Sequence, residues 1–155
     1  MGKFDRAQFS WKKLPARLES LEPFRLFVLE KASEAAVAPE CVSNLELVLE
    51  ELLVNVFSYA YPEDRPGMME VGCGTFDAGM FCIQIRDYGK PFDPLSLPDP
   101  DLSLDILDRP VGGLGIHFVR QSASLLHYEY AEGSNRLTCC FAQNTSDCSV
   151  GSMTP

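Results

Sequence analysis

"LEELLVNVFSYAY", residues 49–61, is an almost wholly apolar helix pattern into which two carboxylates and one amide are set. Residues four apart on a helix differ by only about 40° around its axis. Glu51 and Asn55 therefore project from one side, where the arc of Val48, Leu52 and Val56 ends, while Glu50 points elsewhere. Polar side chains at such an edge are either ordinary rim residues or one wall of a site.

The elements around this helix follow from spacing and turn chemistry. The full pattern runs "PECVSNLELVLEELLVNVFSYAY" and is stopped by Pro62. An earlier helix, "LPARLESLEPFRLFVLEKASEAA", contains Pro23 inside its pattern and is expected to start there. "FDRAQFSWKK" reads as an edge strand. "MMEVGCGTF" and "MFCIQIRD" flank Asp77-Ala78-Gly79, a hairpin signal, and "LLHYEYA" and "RLTCCFA" flank the expected turn Glu132 to Asn135. Between them lie a long Pro- and Asp-rich loop, Tyr88 to Val111, and "GGLGIHFVRQSAS", a glycine turn opening a third helix. The order strand, two helices, hairpin, loop, helix, hairpin predicts a two-layer α+β sandwich.

Composition limits the function classes. The 155 residues are 46% hydrophobic, enough for one ordinary domain with a core. The net charge of -9 argues against non-specific binding to nucleic acid or anionic lipid. No signal-peptide pattern or membrane-length apolar run is present in the sequence. The six cysteines form no C-x-x-C pair and there are two histidines, which argues against zinc. The cysteines read as reduced, mostly buried thiols of a cytosolic protein, and His117 and His127 as structural or surface residues. Residues 1–143 are expected to form a single domain and 144–155 a disordered tail.

Two further constellations join Glu51 and Asn55. In "MFCIQIRDYG" alternation puts Phe81, Ile83, Ile85 and Asp87 on one face, so a carboxylate ends an apolar row. It needs donors, which an adenine amine would supply, although Asp followed by Gly two residues on also suits a plain turn. In "VGGLGIHFVR", Gly112, Gly113 and Gly115 open a helix whose free N–H groups suit phosphate. No Lys-Ser or Lys-Thr follows, so it is not a P-loop, and Phe118 stands where a dinucleotide fingerprint needs glycine.

Together these motifs resemble the serine/threonine kinases of bacterial anti-sigma factors, within the GHKL superfamily of Hsp90, gyrase B, histidine kinases and MutL. "EELLVNVFSYAY" looks like the N box, "RDYGKPFDP" like the first glycine box and "RPVGGLGIHFVR" like the second. "GSNRL" and "LPARLESL" also fit the group, and the likeness runs from about Leu14 to Phe141. The resemblance implies a Bergerat, or histidine-kinase-like ATPase, fold: a mixed, mainly antiparallel sheet covered on one face by three helices. It implies ATP and Mg2+ as ligands, with Asn55 on the metal and Glu51 as general base. Asp87 would take the adenine amine, with Gly89 letting the ring approach and Phe92 nearby. Gly112, Gly113, Leu114, Gly115 and Ile116 would frame the phosphates under a lid of residues 91–111. Arg109 would neutralise a phosphate or make a lid salt bridge.

The activity so implied is phosphorylation of a STAS-type anti-sigma-factor antagonist, with sequestration of a sigma factor by a cytoplasmic homodimer. The alternative is an ATP-binding switch that holds a partner without phosphotransfer. A histidine kinase is disfavoured because the chain has no room for a phosphoacceptor helix pair. Val54 before the N-box asparagine, Tyr59, Ser124 and the lack of a closing Lys depart from the group's usual pattern. None of these departures removes a proposed ligand.

Overall fold

The computed structural model describes residues 9–77, 79–96 and 113–144. Among them, β1 (Ser10–Pro15) leads through a 3-10 turn (Leu18–Ser20) into α1 (Leu21–Glu34) and α2 (Pro39–Tyr59). The hairpin β2 (Met68–Phe76) and β3 (Met80–Asp87) follows, then a 3-10 turn (Pro94–Ser96), α3 (Gly113–Ser122), β4 (Leu125–Ala131) and β5 (Ser134–Ala142). The sheet order is β1-β2-β3-β5-β4, and every pairing is antiparallel, the limiting case of the mainly antiparallel sheet expected.

The helices pack on one sheet face. Phe24 and Val28 of α1, Leu45 and Leu49 of α2, and Val119 of α3 are buried against Val71, Ile83 and Cys139. These sheet residues share a face because side chains alternate along a strand. The opposite face carries a smaller cluster, Phe9 with Cys82 and Cys140, edged by Trp11 and Leu125.

Local chemistry explains the boundaries. α2 begins with Pro39 in its first turn, where no intrahelical N–H bond is lost. α1 starts at Leu21, two residues before the expected Pro23. Pro23 falls in the first turn, among the N–H groups that have no helical acceptor, so it neither breaks nor starts the helix. The β4–β5 turn is shorter than expected: Ala131 pairs with Ser134, and Glu132 (φ 51°) and Gly133 (φ 73°) alone make the turn. Two left-handed central residues match the twist of a tight hairpin. Ser134 and Asn135 therefore belong to β5.

The cysteine expectation is corrected in part. Cys73 and Cys139 are buried free thiols, but Cys82 and Cys140, register partners on β3 and β5, form a disulfide, and Cys41 is also disulfide-bonded. A register that places two cysteines directly opposite brings their Cβ atoms within bonding reach. The thiols thus give no argument for a reducing compartment. No helix among the described residues is long and apolar enough to cross a membrane.

Candidate functional site

α2 sets the axis of the site. Its core arc, Val48, Leu49, Leu52 and Leu53, is buried, and at the edge of that arc Asn55 is half-buried and Glu51 exposed. Neither side chain takes a hydrogen-bond or ion-pair partner among the described residues. Glu51 faces the start of α3: a Cβ built on Gly115 would lie 2.5 Å from Glu51 Oε2. Only a residue without a side chain lets the helix start approach the carboxylate so closely. The first turn of an α-helix such as α3 has N–H groups with no intrahelical acceptor and the positive end of the helix dipole. An anion placed there meets backbone donors on one side and Glu51 on the other.

The other end of the site lies at the close of β3. Phe81, Ile83, Ile85 and Asp87 form one buried row facing the helices, and Asp87 is 8% exposed. Its Oδ1 accepts from the Gly89 N–H (2.9 Å) and from Asn135 Nδ2 (3.0 Å), while Oδ2 accepts nothing among the described residues. The Gly89 contact is the plain turn that Asp-x-Gly suits, made by a carboxylate that is itself buried. A Cβ on Gly89 would lie 2.2 Å from the Ala60 carbonyl oxygen at the end of α2. Tyr61 secures the junction: its hydroxyl donates to Met68 O (2.7 Å) and accepts from the Tyr88 N–H (2.7 Å). Burial pushes the Tyr61 phenol above its ordinary range, so it stays a neutral donor.

α2 thus touches both glycine segments. Gly115 lies against Glu51, Gly89 lies against Ala60, and Asn55 stands between them. At 1.5 Å rise per residue the two contacts are about 13 Å apart along the helix. Phe92 reaches this region through its backbone: its N–H donates to Asn135 Oδ1 (2.9 Å), and its ring is exposed. Ile116 is 2% exposed, so its side chain belongs to the core and only its backbone is free to face the turn. Gly113 opens α3. Arg109, Gly112 and lid residues 97–111 lie outside the described residues, as does the Leu114 side chain.

Two contacts escaped the sequence reading. Asn135, assigned to a turn, sits on β5 opposite Asp87. Arg120 of α3 donates to Leu95 O (2.5 Å), tying the start of the loop to the helix. The "GSNRL" string was the available signal for Asn135, and nothing local marks Arg120.

The donor set suits a magnesium nucleotide. Asn55 offers an amide oxygen with no protein partner among the described residues, and magnesium takes hard oxygen ligands. Two glycine segments meet α2, one at its C-terminal end beside a buried carboxylate and one at mid-helix opening α3, on a two-layer α+β fold. The chain belongs to the histidine kinase-like ATPase domain family, whose model matches residues 14–141. It is similar to serine-protein kinase RsbW of Bacillus subtilis, 26% identical over 121 residues, which are 74% of each chain. It is also similar to serine/threonine-protein kinase BtrW of Bordetella bronchiseptica, 27% identical over 95 residues, 61% of this chain and 66% of that one. Among solved structures, the histidine kinase AdeS of Acinetobacter baumannii matches 90% of this chain and 71% of its own, with 14% identity and a TM-score of 0.49.

Proposed function

We propose that this chain is an ATP-dependent serine/threonine protein kinase that acts as an anti-sigma factor. One observation carries the reading: α2 meets one glycine segment at mid-helix, at Glu51, and another at its C-terminal end, at Ala60, with the start of α3 at the first contact and Asp87 beyond the second. An extended nucleoside triphosphate bridges such a span, base at Asp87 and phosphates at α3. The two relatives are protein kinases by name. The anti-sigma assignment, and with it a STAS-type antagonist as substrate, a sigma factor as bound partner, a homodimer and a cytoplasmic location, rests on the likeness of the two glycine boxes to that branch.

Each residue has a defined task. Asp87 accepts the adenine amine through Oδ2, and Gly89 keeps the first turn flat enough for the ring to approach. Asn55 holds magnesium, which when bound supplies charge neutralisation of the phosphates. The glycine-framed start of α3 donates backbone N–H groups to phosphate oxygens. Glu51 takes the proton of the incoming serine hydroxyl. That oxygen bonds to the γ-phosphorus as the β–γ bridging P–O bond breaks, and ADP leaves with the electron pair.

Incubation with Mg-ATP and a candidate STAS-type antagonist, followed by mass mapping of the product, tests this. A phosphoserine or phosphothreonine that is lost in Glu51→Ala, with nucleotide binding retained, is the expected result. Nucleotide binding with no transfer by the wild-type chain would instead make it a binding switch.

A further inference from the structure

The Asn135 side chain is 7% exposed and every polar valence of its amide is used. Nδ2 donates to Asp87 Oδ1 (3.0 Å) and to Lys90 O (2.9 Å), with a longer arm to Gly89 O (3.4 Å). Oδ1 accepts from the Phe92 N–H (2.9 Å) and from the Tyr128 hydroxyl (2.5 Å). Burial raises the Tyr128 phenol above its ordinary range, so that hydroxyl remains a donor at neutral pH. An amide read from both ends in this way has one orientation only. A side chain on β5 thereby clasps residues 89–92 and the carboxylate that ends β3.

We propose that Asn135 is the positioning residue that gives the site its preference for adenine, an inference that rests on the nucleotide reading above. A carboxylate is symmetric about its last torsion, which is broad and roughly two-fold. Two donors on Oδ1, Gly89 N–H and Asn135 Nδ2, remove that freedom. They leave Oδ2 as a fixed acceptor, which rewards a purine carrying a 6-amino group and leaves a purine without one nothing to donate. With Asn135 gone, Gly89 N–H is the one remaining donor to Asp87 among the described residues, and residues 90 and 92 lose their Asn135 contacts to β5.

The test compares affinities for Mg-ATP and for the magnesium complex of purine riboside triphosphate, which lacks only the 6-amino group. Calorimetric titration is run on wild type, Asn135→Ala and the near-isosteric Asn135→Asp. Wild type is expected to favour ATP by about 10-fold or more, the worth of a hydrogen bond to a charged acceptor. In both variants that preference should shrink to about 3-fold or less. A residue that merely stabilises the fold would weaken both nucleotides alike and leave their ratio untouched. An unchanged ratio in Asn135→Ala and Asn135→Asp, with wild type still favouring ATP, overturns this inference and leaves the nucleotide reading standing. Wild type that binds neither nucleotide, or both equally, overturns the adenine assignment and this inference with it.

Discussion

Replacing each of two glycines by alanine, at Gly89 and at Gly115, separates the fold from the chemistry. At Gly89 the new Cβ would stand 2.2 Å from the Ala60 carbonyl oxygen and 3.0 Å from its carbon, against an ordinary contact of 3.4 Å or more. Both obstacles are backbone at the end of α2, so relief of about 1 Å must come from the helix end or the Asp87 turn. Overpacking against rigid groups costs about 1–3 kcal/mol. For a chain of this size each kcal/mol lowers the melting temperature by about 2–4 °C, so Gly89→Ala should fall by about 3–10 °C. At Gly115 the first obstacle, at 2.5 Å, is the free end of Glu51, which swings away at little cost. Alanine is the better helix former by about 0.5–1 kcal/mol. The melting temperature of Gly115→Ala should therefore hold or rise slightly. Its phosphotransfer should drop by about 100-fold, because a reacting group displaced by about 1 Å loses that much. Thermal unfolding and transfer to the antagonist, measured on both variants, give the answer. Wild-type melting in Gly89→Ala, or wild-type turnover in Gly115→Ala, would refute the geometry.

Other expectations follow from single contacts. Magnesium should raise the ATP affinity of wild type but not of Asn55→Ala; equal magnesium dependence in a paired titration would remove Asn55 as ligand. Reducing the Cys82–Cys140 bridge, which closes a loop of 58 residues, should cost about 2–4 kcal/mol and lower melting by about 5–15 °C. Identical melting curves for wild type and the Cys82→Ala/Cys140→Ala double variant would contradict that. Burial pushes the Cys73 thiol from 9.0 up to about 12. The folded chain then keeps its proton where the unfolded chain has released it, so stability is full below about pH 9 and falls as pH rises toward 12. Cys73→Ala should flatten this alkaline limb, by up to about 4 kcal/mol at its end, in urea titrations run across that range.

Local pattern carried much of the architecture and less of the site. Alternation placed Asp87 at the end of a buried row, and helical spacing placed Glu51 and Asn55 at one edge of α2. Both follow from the periods of strand and helix and need no tertiary information. Asn135 was not legible as a site residue, because Glu132 to Asn135 has the composition of a four-residue turn. The left-handed pair Glu132-Gly133 closes the hairpin in two residues and hands Asn135 to the strand, opposite a residue 48 positions earlier. The cysteines failed for a related reason. Which of them pair depends on the β3–β5 register, and that register sets Cys82 against Cys140 while Cys139 turns to the helical face. Arg120 meeting Leu95 joins two segments with no shared period at all.

The most direct measurement is the melting temperature of wild type and of Asp87→Asn with and without saturating Mg-ATP. A ligand at 100 times its dissociation constant adds about 2.7 kcal/mol, so wild type should gain about 5–10 °C. Asp87→Asn, whose Oδ2 acceptor is replaced or reversed, should gain nothing. An equal gain in both proteins would contradict the placement of adenine at Asp87, and no gain in wild type would remove the nucleotide from the site altogether.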